Sequence, residues 1–148
     1  AYYATDYVVA DESANATAYA ARAYWRPEDS GSATPEISVG YDIISFDGNA
    51  SGNVKEASSY FVGLGWPDMF SDGDYIGVGF GQPLKATEVQ TSGTAGDDGL
   101  SPFLWELTYS FKVNDSVTVI PAVFGGTDIQ NDTEDDIFGA ALTTKFKF

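Results

Sequence analysis

Neither cysteine nor histidine occurs anywhere in the 148 residues. Their absence removes the Ser–His–Asp triad, the thiolate nucleophile and the Cys/His zinc site together. It also removes disulfides, so cysteine usage says nothing about redox compartment. Basic side chains are scarce, with 7 Lys and Arg against 22 Asp and Glu and a net charge of −15. Nucleic-acid binding needs clustered cations to neutralise phosphate, and this balance argues against it. Long apolar runs are missing as well: nothing approaches the roughly 18 consecutive apolar residues of a membrane helix. No basic start followed by an apolar run marks a signal peptide. The chain opens on Ala1-Tyr2-Tyr3, within what reads as a strand, and is expected to be a mature protein or a fragment.

What the sequence has instead is aromatic side chains at 15% and 16 glycines, arranged with period two rather than 3.6. Clusters of Gly, Asp, Asn, Ser and Pro break the alternation into about eight predicted strands. They cover 1–9, 16–26, 35–46, 57–66, 74–82, 101–113, 116–124 and 137–148. Most are longer than the soluble mode of about 5–6 residues and near the 9–11 that cross a bilayer when tilted.

Strand 101–113 alternates most clearly. Phe103, Trp105, Leu107, Tyr109, Phe111 and Val113 share one face; Leu104, Glu106, Thr108, Ser110 and Lys112 share the other. A soluble sheet with one wet face gives the same alternation. Six same-face positions in a row, all apolar and four aromatic, favour a membrane strand. The last strand repeats the pattern, with Phe138, Ala140, Leu142, Thr144, Phe146 and Phe148 opposite Lys145 and Lys147. Strand 16–26 sets Tyr19, Ala21, Ala23 and Trp25 against Arg22, Tyr24 and Arg26.

With the C-terminus taken as periplasmic, 125–136, 83–100, 47–56 and 10–15 become external loops. Asn114-Asp115, 67–73 and 27–34 become periplasmic turns, so turns are mostly short and loops mostly long, as in bacterial barrels. An aromatic girdle follows at the periplasmic level from Trp25, Trp66, Tyr109, Phe111, Phe146 and Phe148. Tyr19, Tyr60, Phe103 and Phe138 fall at the outer level, and Trp105 belongs to the girdle set too. A soluble sandwich would instead gather its rings mid-strand.

Several stretches resemble a known family. Gly63-Leu64-Gly65-Trp66-Pro67-Asp68-Met69-Phe70, Asp72-Gly73 and Gly77-Val78-Gly79-Phe80-Gly81-Gln82-Pro83 are similar to the late barrel of cyanobacterial carbohydrate-selective or iron-uptake outer-membrane porins. So are the run from Leu104 to Ala122 and the ending Phe138-Gly139 and Thr144-Lys145-Phe146-Lys147-Phe148. The terminal Phe with alternating aromatics resembles the signal read by outer-membrane assembly machinery. The resemblance covers 57–148 well and 1–56 loosely. It implies channels of about twice this length, preceded by a cell-wall-binding domain and a helical linker, of which this chain would be the C-terminal portion.

Other patterns carry less. Gly77-Val78-Gly79-Phe80-Gly81 alternates within a strand with no helix after it, so it is no phosphate loop; its glycines suit close approach of a loop or strand. Acidic clusters at Asp72/Asp74, Asp97-Asp98 and Asp128 to Asp136 could offer oxygen ligands to Ca²⁺, but none has EF-hand spacing, and solvated loops explain them better. Asn-X-Ser/Thr tripeptides at Asn15, Asn49, Asn114 and Asn131 would stay unmodified in a bacterium. With 22 acids some pair will reach hydrolytic distance by chance, and no spacing singles one out.

The expectation is therefore an all-β, antiparallel transmembrane β-barrel segment in one domain, half of a larger barrel of about 14–18 strands. Its function would be passive diffusion of sugars, inorganic ions or iron across the outer membrane, without enzyme activity, cofactor or metal. Arg22, Arg26, Glu36, Asp42, Glu106, Lys112, Lys145 and Lys147 would line the channel, the basic ones favouring anions locally. Partners would be outer-membrane lipid, small hydrophilic solutes or ions, and the remaining strands of the same barrel. The resemblance adds a homotrimer; nucleic acid is not expected. Two rivals stand beside this: a complete eight-stranded membrane barrel with an adhesive or structural role, and a soluble acidic β-sandwich that binds a ligand.

Overall fold

A computed structural model describes residues 15–28, 34–47, 53–90, 101–128 and 136–148. Within them the chain is all β. The strands are β1 (Ala16–Trp25), β2 (Glu36–Phe46), β3 (Asn53–Pro67), β4 (Tyr75–Gln90), β5 (Phe103–Asn114), β6 (Val117–Thr127) and β7 (Ile137–Phe146). They form one antiparallel sheet in chain order, each strand paired with its sequence neighbours. Among the described residues β1 and β7 each keep one edge unpaired. The expected strand 1–9 lies outside the described residues.

Two strands are longer than the alternation suggests. β3 begins at Asn53 rather than 57, and β4 continues to Gln90 instead of ending at 82. Stretches 53–56 and 83–90, expected as loop, are therefore paired strand. Pro83 is what ends the sequence pattern, yet a bulge accommodates it. Tyr60 pairs with Gln82 and Ser58 with Lys85, so β4 holds one residue more than β3 between these pairs. Pro83 also lies beyond the last β4–β5 pair, Gly81 with Leu104, so its missing amide interrupts no ladder there. Pro121 acts differently inside β6. The β5–β6 register is the same at Thr108–Ala122 and Phe111–Val119, but Tyr109 and Ser110 form no pair between them. A residue without an N–H leaves that gap.

The register fixes the two faces, because paired residues point to the same side. One face carries a row of aliphatic side chains: Ile37, Leu64, Val78, Leu107, Val123 and Ala140. On one side of it runs Trp66, Ile76, Tyr109, Pro121 and Leu142; on the other, Val39, Val62, Phe80, Trp105, Gly125 and Phe138. None of these positions is charged. The sheet is a single layer, and among the described residues the buried apolar side chains are only Val54 and Ala57. Phe138 is 74% exposed and Leu142 71%. A sheet of this kind needs something apolar against that face, since stable architectures bury it under a second layer or in lipid.

Candidate functional site

The opposite face gathers the charged and small residues. Register places Arg22, Glu36, Asp42, Glu106, Lys112 and Lys145 on this one side, and Arg26 and Lys147 follow with the same parity just past β1 and β7. The face is mixed rather than wholly polar, since Phe61, Leu104, Phe124 and Ile137 share it.

Pairing across β1 and β2 neutralises the first charges. Arg22 grips Asp42 through Nη2 at 2.8 Å to both carboxylate oxygens and donates to the Tyr41 carbonyl at 3.2 Å. Its guanidinium also lies 5.5 Å from the centre of the Phe61 ring, over the space left by Gly40. Ser59 donates to the same carboxylate at 3.0 Å. Glu36, only 5% exposed, contacts Arg26 Nε at 2.5 Å as an ion pair and accepts from the Tyr24 hydroxyl at 2.9 Å. The Glu36 carboxylate and, after it, the Tyr24 phenol hold the Arg26 guanidinium above its ordinary pKa. Arg22 and Arg26, two of the five basic groups expected to favour anions, are thus each matched by an acid.

Between β2 and β5 the face sinks into a trough of about 370 Å³. Its floor is glycine: Gly63 and Gly65 of β3 pair with Gly79 and Gly77 of β4. Tyr24, Glu36 and Ser38 line one side, Glu106 and Thr108 the other, and Tyr75 reaches in. The Tyr75 hydroxyl occupies the position that a Cβ at Gly65 would take, while the same test at Gly79 meets open space. Here the alternating glycines are explained: they keep the trough floor at backbone height. A second concavity of about 540 Å³ adjoins it over Phe61, Gly81, Leu104 and Phe124 and is more apolar.

Lysines mark one end. Lys112 pairs with Thr118 and Thr118 with Lys145, so the two cations share a row two strands apart. The Lys112 ammonium lies beside Gly73, whose φ of +79° suits glycine. Gly73 belongs to the turn between β3 and β4, which Asp74 organises. That carboxylate, 3% exposed, accepts from the backbone N–H groups of Met69 at 2.8 Å and of Phe70 and Ser71 at 3.0 Å, and from the Tyr109 hydroxyl at 2.9 Å. Burial opposes its ionisation, but these four donors outweigh burial and hold Asp74 below the usual carboxylate range. The acidic pair Asp72/Asp74 is thus part of a turn, with Asp74 serving as an internal cap. Among the described residues no group of acids is arranged to hold a metal ion. Asp128 accepts from the Ser101 N–H at 3.2 Å, while Asp97 and Asp98 lie outside the described residues.

On the apolar face the rings cluster toward the strand ends. Trp105 packs on Phe138 at 6.1 Å and covers Gly125, and Phe80 meets Phe103 at 6.3 Å. At the other end Tyr109 stacks on Phe111 at 5.4 Å and meets Phe70 edge-on at 5.9 Å. Trp66 stands in the Tyr109 row, Trp25 beside Ile37, and Phe146 beside Val117, all on this face; Phe148 follows β7 with the same parity.

No protein-family profile and no solved structure matches the chain. It is similar to the uncharacterized protein alr4550 of Nostoc sp. (strain PCC 7120 / SAG 25.82 / UTEX 2576), with 29% identity over 137 residues. That similarity takes in 92% of this chain but 22% of the relative, so the chain spans less than a quarter of the length of the protein it matches.

Proposed function

We propose that these strands form part of a transmembrane β-barrel in an outer membrane, and that the barrel is a porin for passive diffusion of small hydrophilic solutes or ions. The observation that carries this reading is the contrast between the faces. One side presents an uncharged aliphatic row between ring-bearing rows across all the central strands. The other presents all the expected channel charges, with hydroxyls and glycines, around a smaller apolar patch of Phe61, Leu104, Phe124 and Ile137. Lipid suits the first face and water the second, and strands of 10–16 residues are long enough to cross. Aromatic girdles would then correspond to the two ring clusters.

Open edges at β1 and β7 cannot face lipid, where an unmatched backbone group costs several kcal/mol. Further strands of the same barrel, or of a second copy, would pair with them. About eight strands enclose an interior that side chains fill, and 16–18 leave a channel, so a conducting barrel needs those additional strands. The resemblance noted in the sequence and the cyanobacterial origin of the similar protein both support this assignment. Reconstitution of the full-length protein containing these strands in a planar bilayer tests it. Detergent-dependent solubility with stepwise ionic conductance is the expected result. A water-soluble fold with Trp105, Leu107 and Phe138 packed against a second sheet would overturn it.

A further inference from the structure

We propose that Glu106 is the charge that sets the selectivity of this channel, making it prefer small cations or amine-bearing solutes over anions. The inference rests on the porin reading above and goes beyond it.

The other acids on the polar face have partners at hand: Asp42 is matched by Arg22 and Glu36 by Arg26, so each couple adds little net field. Glu106 is exposed, and no described side chain forms an ion pair or hydrogen bond with it. Its cross-strand neighbours are Gly79 on β4 and Phe124 on β6, neither of which can offset a charge. Gly79, its partner on β4, has open space where a side chain would stand.

Distance separates it from the lysines. Lys112 lies six positions along β5, which is about 20 Å at the strand rise of about 3.3 Å per residue, and Lys145 shares the Lys112 row. Screening is already strong beyond about 10 Å at 0.1 M salt. Lys112 and Lys145 therefore act at one mouth, while Glu106 acts beside the trough lined by Tyr24, Tyr75 and Thr108. A carboxylate without a counterion among the described residues attracts cations and repels anions, as acidic rings do in cation channels.

Reversal potentials of the full-length protein in a dilute KCl gradient test this, comparing wild type, Glu106→Gln, Gly79→Lys and the Lys112→Gln/Lys145→Gln pair. The expected wild type prefers K⁺. Its cation-to-anion permeability ratio should fall several-fold in Glu106→Gln. It should fall again in Gly79→Lys, which sets an ammonium opposite an intact Glu106 in space the structure leaves open. The lysine pair should change the ratio less, and every shift should shrink at high salt. Should Glu106→Gln fail to assemble, Gly79→Lys alone decides. Conducting channels with the same ratio in Glu106→Gln and Gly79→Lys, or a larger effect from the lysines, would overturn the role of Glu106 and leave the porin standing. Absence of conductance in the wild type would remove the porin reading itself.

Discussion

Leu107 stands at the centre of the uncharged face, paired with Val78 on one side and Val123 on the other. In the proposed barrel an arginine there would face lipid rather than water. Leu107→Arg should lower barrel stability in lipid by about 2–4 kcal/mol, the depth-dependent cost of a basic side chain near the bilayer midplane. Urea unfolding in vesicles measures it, and a change within error would mean that this face does not meet lipid. Asp74 offers a second test, at the sheet end. Its donors hold the folded pKa below the ordinary value of about 3.9. A depressed pKa contributes stability that is present above the unfolded value and lost as pH falls through the folded one. The turn should therefore be firmest above the ordinary carboxylate range and loosen as pH falls through the lowered value. A carboxyl titration by NMR should show a midpoint below 3.9, moving upward in Tyr109→Phe as one of four donors disappears. These two residues were unequally legible. Strict alternation alone assigns Leu107 to its face. Nothing in Asp72-Gly73-Asp74 says that the second acid turns inward to collect amides from Met69 to Ser71, because capping depends on the path of the whole turn.

Strands were readable where a period of two ran without interruption, as in β5 and β7, and β4 was cut short where Pro83 intervened. Proline is a fair sign of a strand end, but at Pro83 a bulge removes the penalty and β4 continues for seven residues more. Charge pairing was hidden for another reason. Arg22, Asp42, Arg26 and Glu36 are assigned to one face by parity, yet their matching requires the β1–β2 register, which depends on a connection whose length does not specify it. The same holds for Gly79 opposite Glu106. β7 carries its own prediction. Phe146 stands beside Val117 on the exposed apolar face, and among the described residues no strand pairs with the outer edge of β7. On the proposed outer-membrane reading, removing Phe146 to Phe148 should block insertion, seen as loss of the chain from outer-membrane fractions. Normal insertion of the shortened chain would show that the terminal aromatics are dispensable.

At the level of the whole sheet, the described strands make a single layer with little buried apolar surface, so the apolar face gains stability from whatever covers it. The meander order has a further consequence, for the route by which such a sheet assembles. Among the described residues every strand meets only its neighbours in the chain, so within this sheet no pairing has to wait for distant segments to find each other. The closure between β5 and β6 spans only Asp115 and Ser116, with the Asn114 side chain accepting from the Ser116 N–H at 2.9 Å. Closing a short loop costs the least entropy. This hairpin should gain amide protection first in pulsed hydrogen exchange, with β7 and β4 adding to its two flanks afterwards. Growth would then spread outward from a seed near the C-terminal end, strand by strand, in the manner of a zipper.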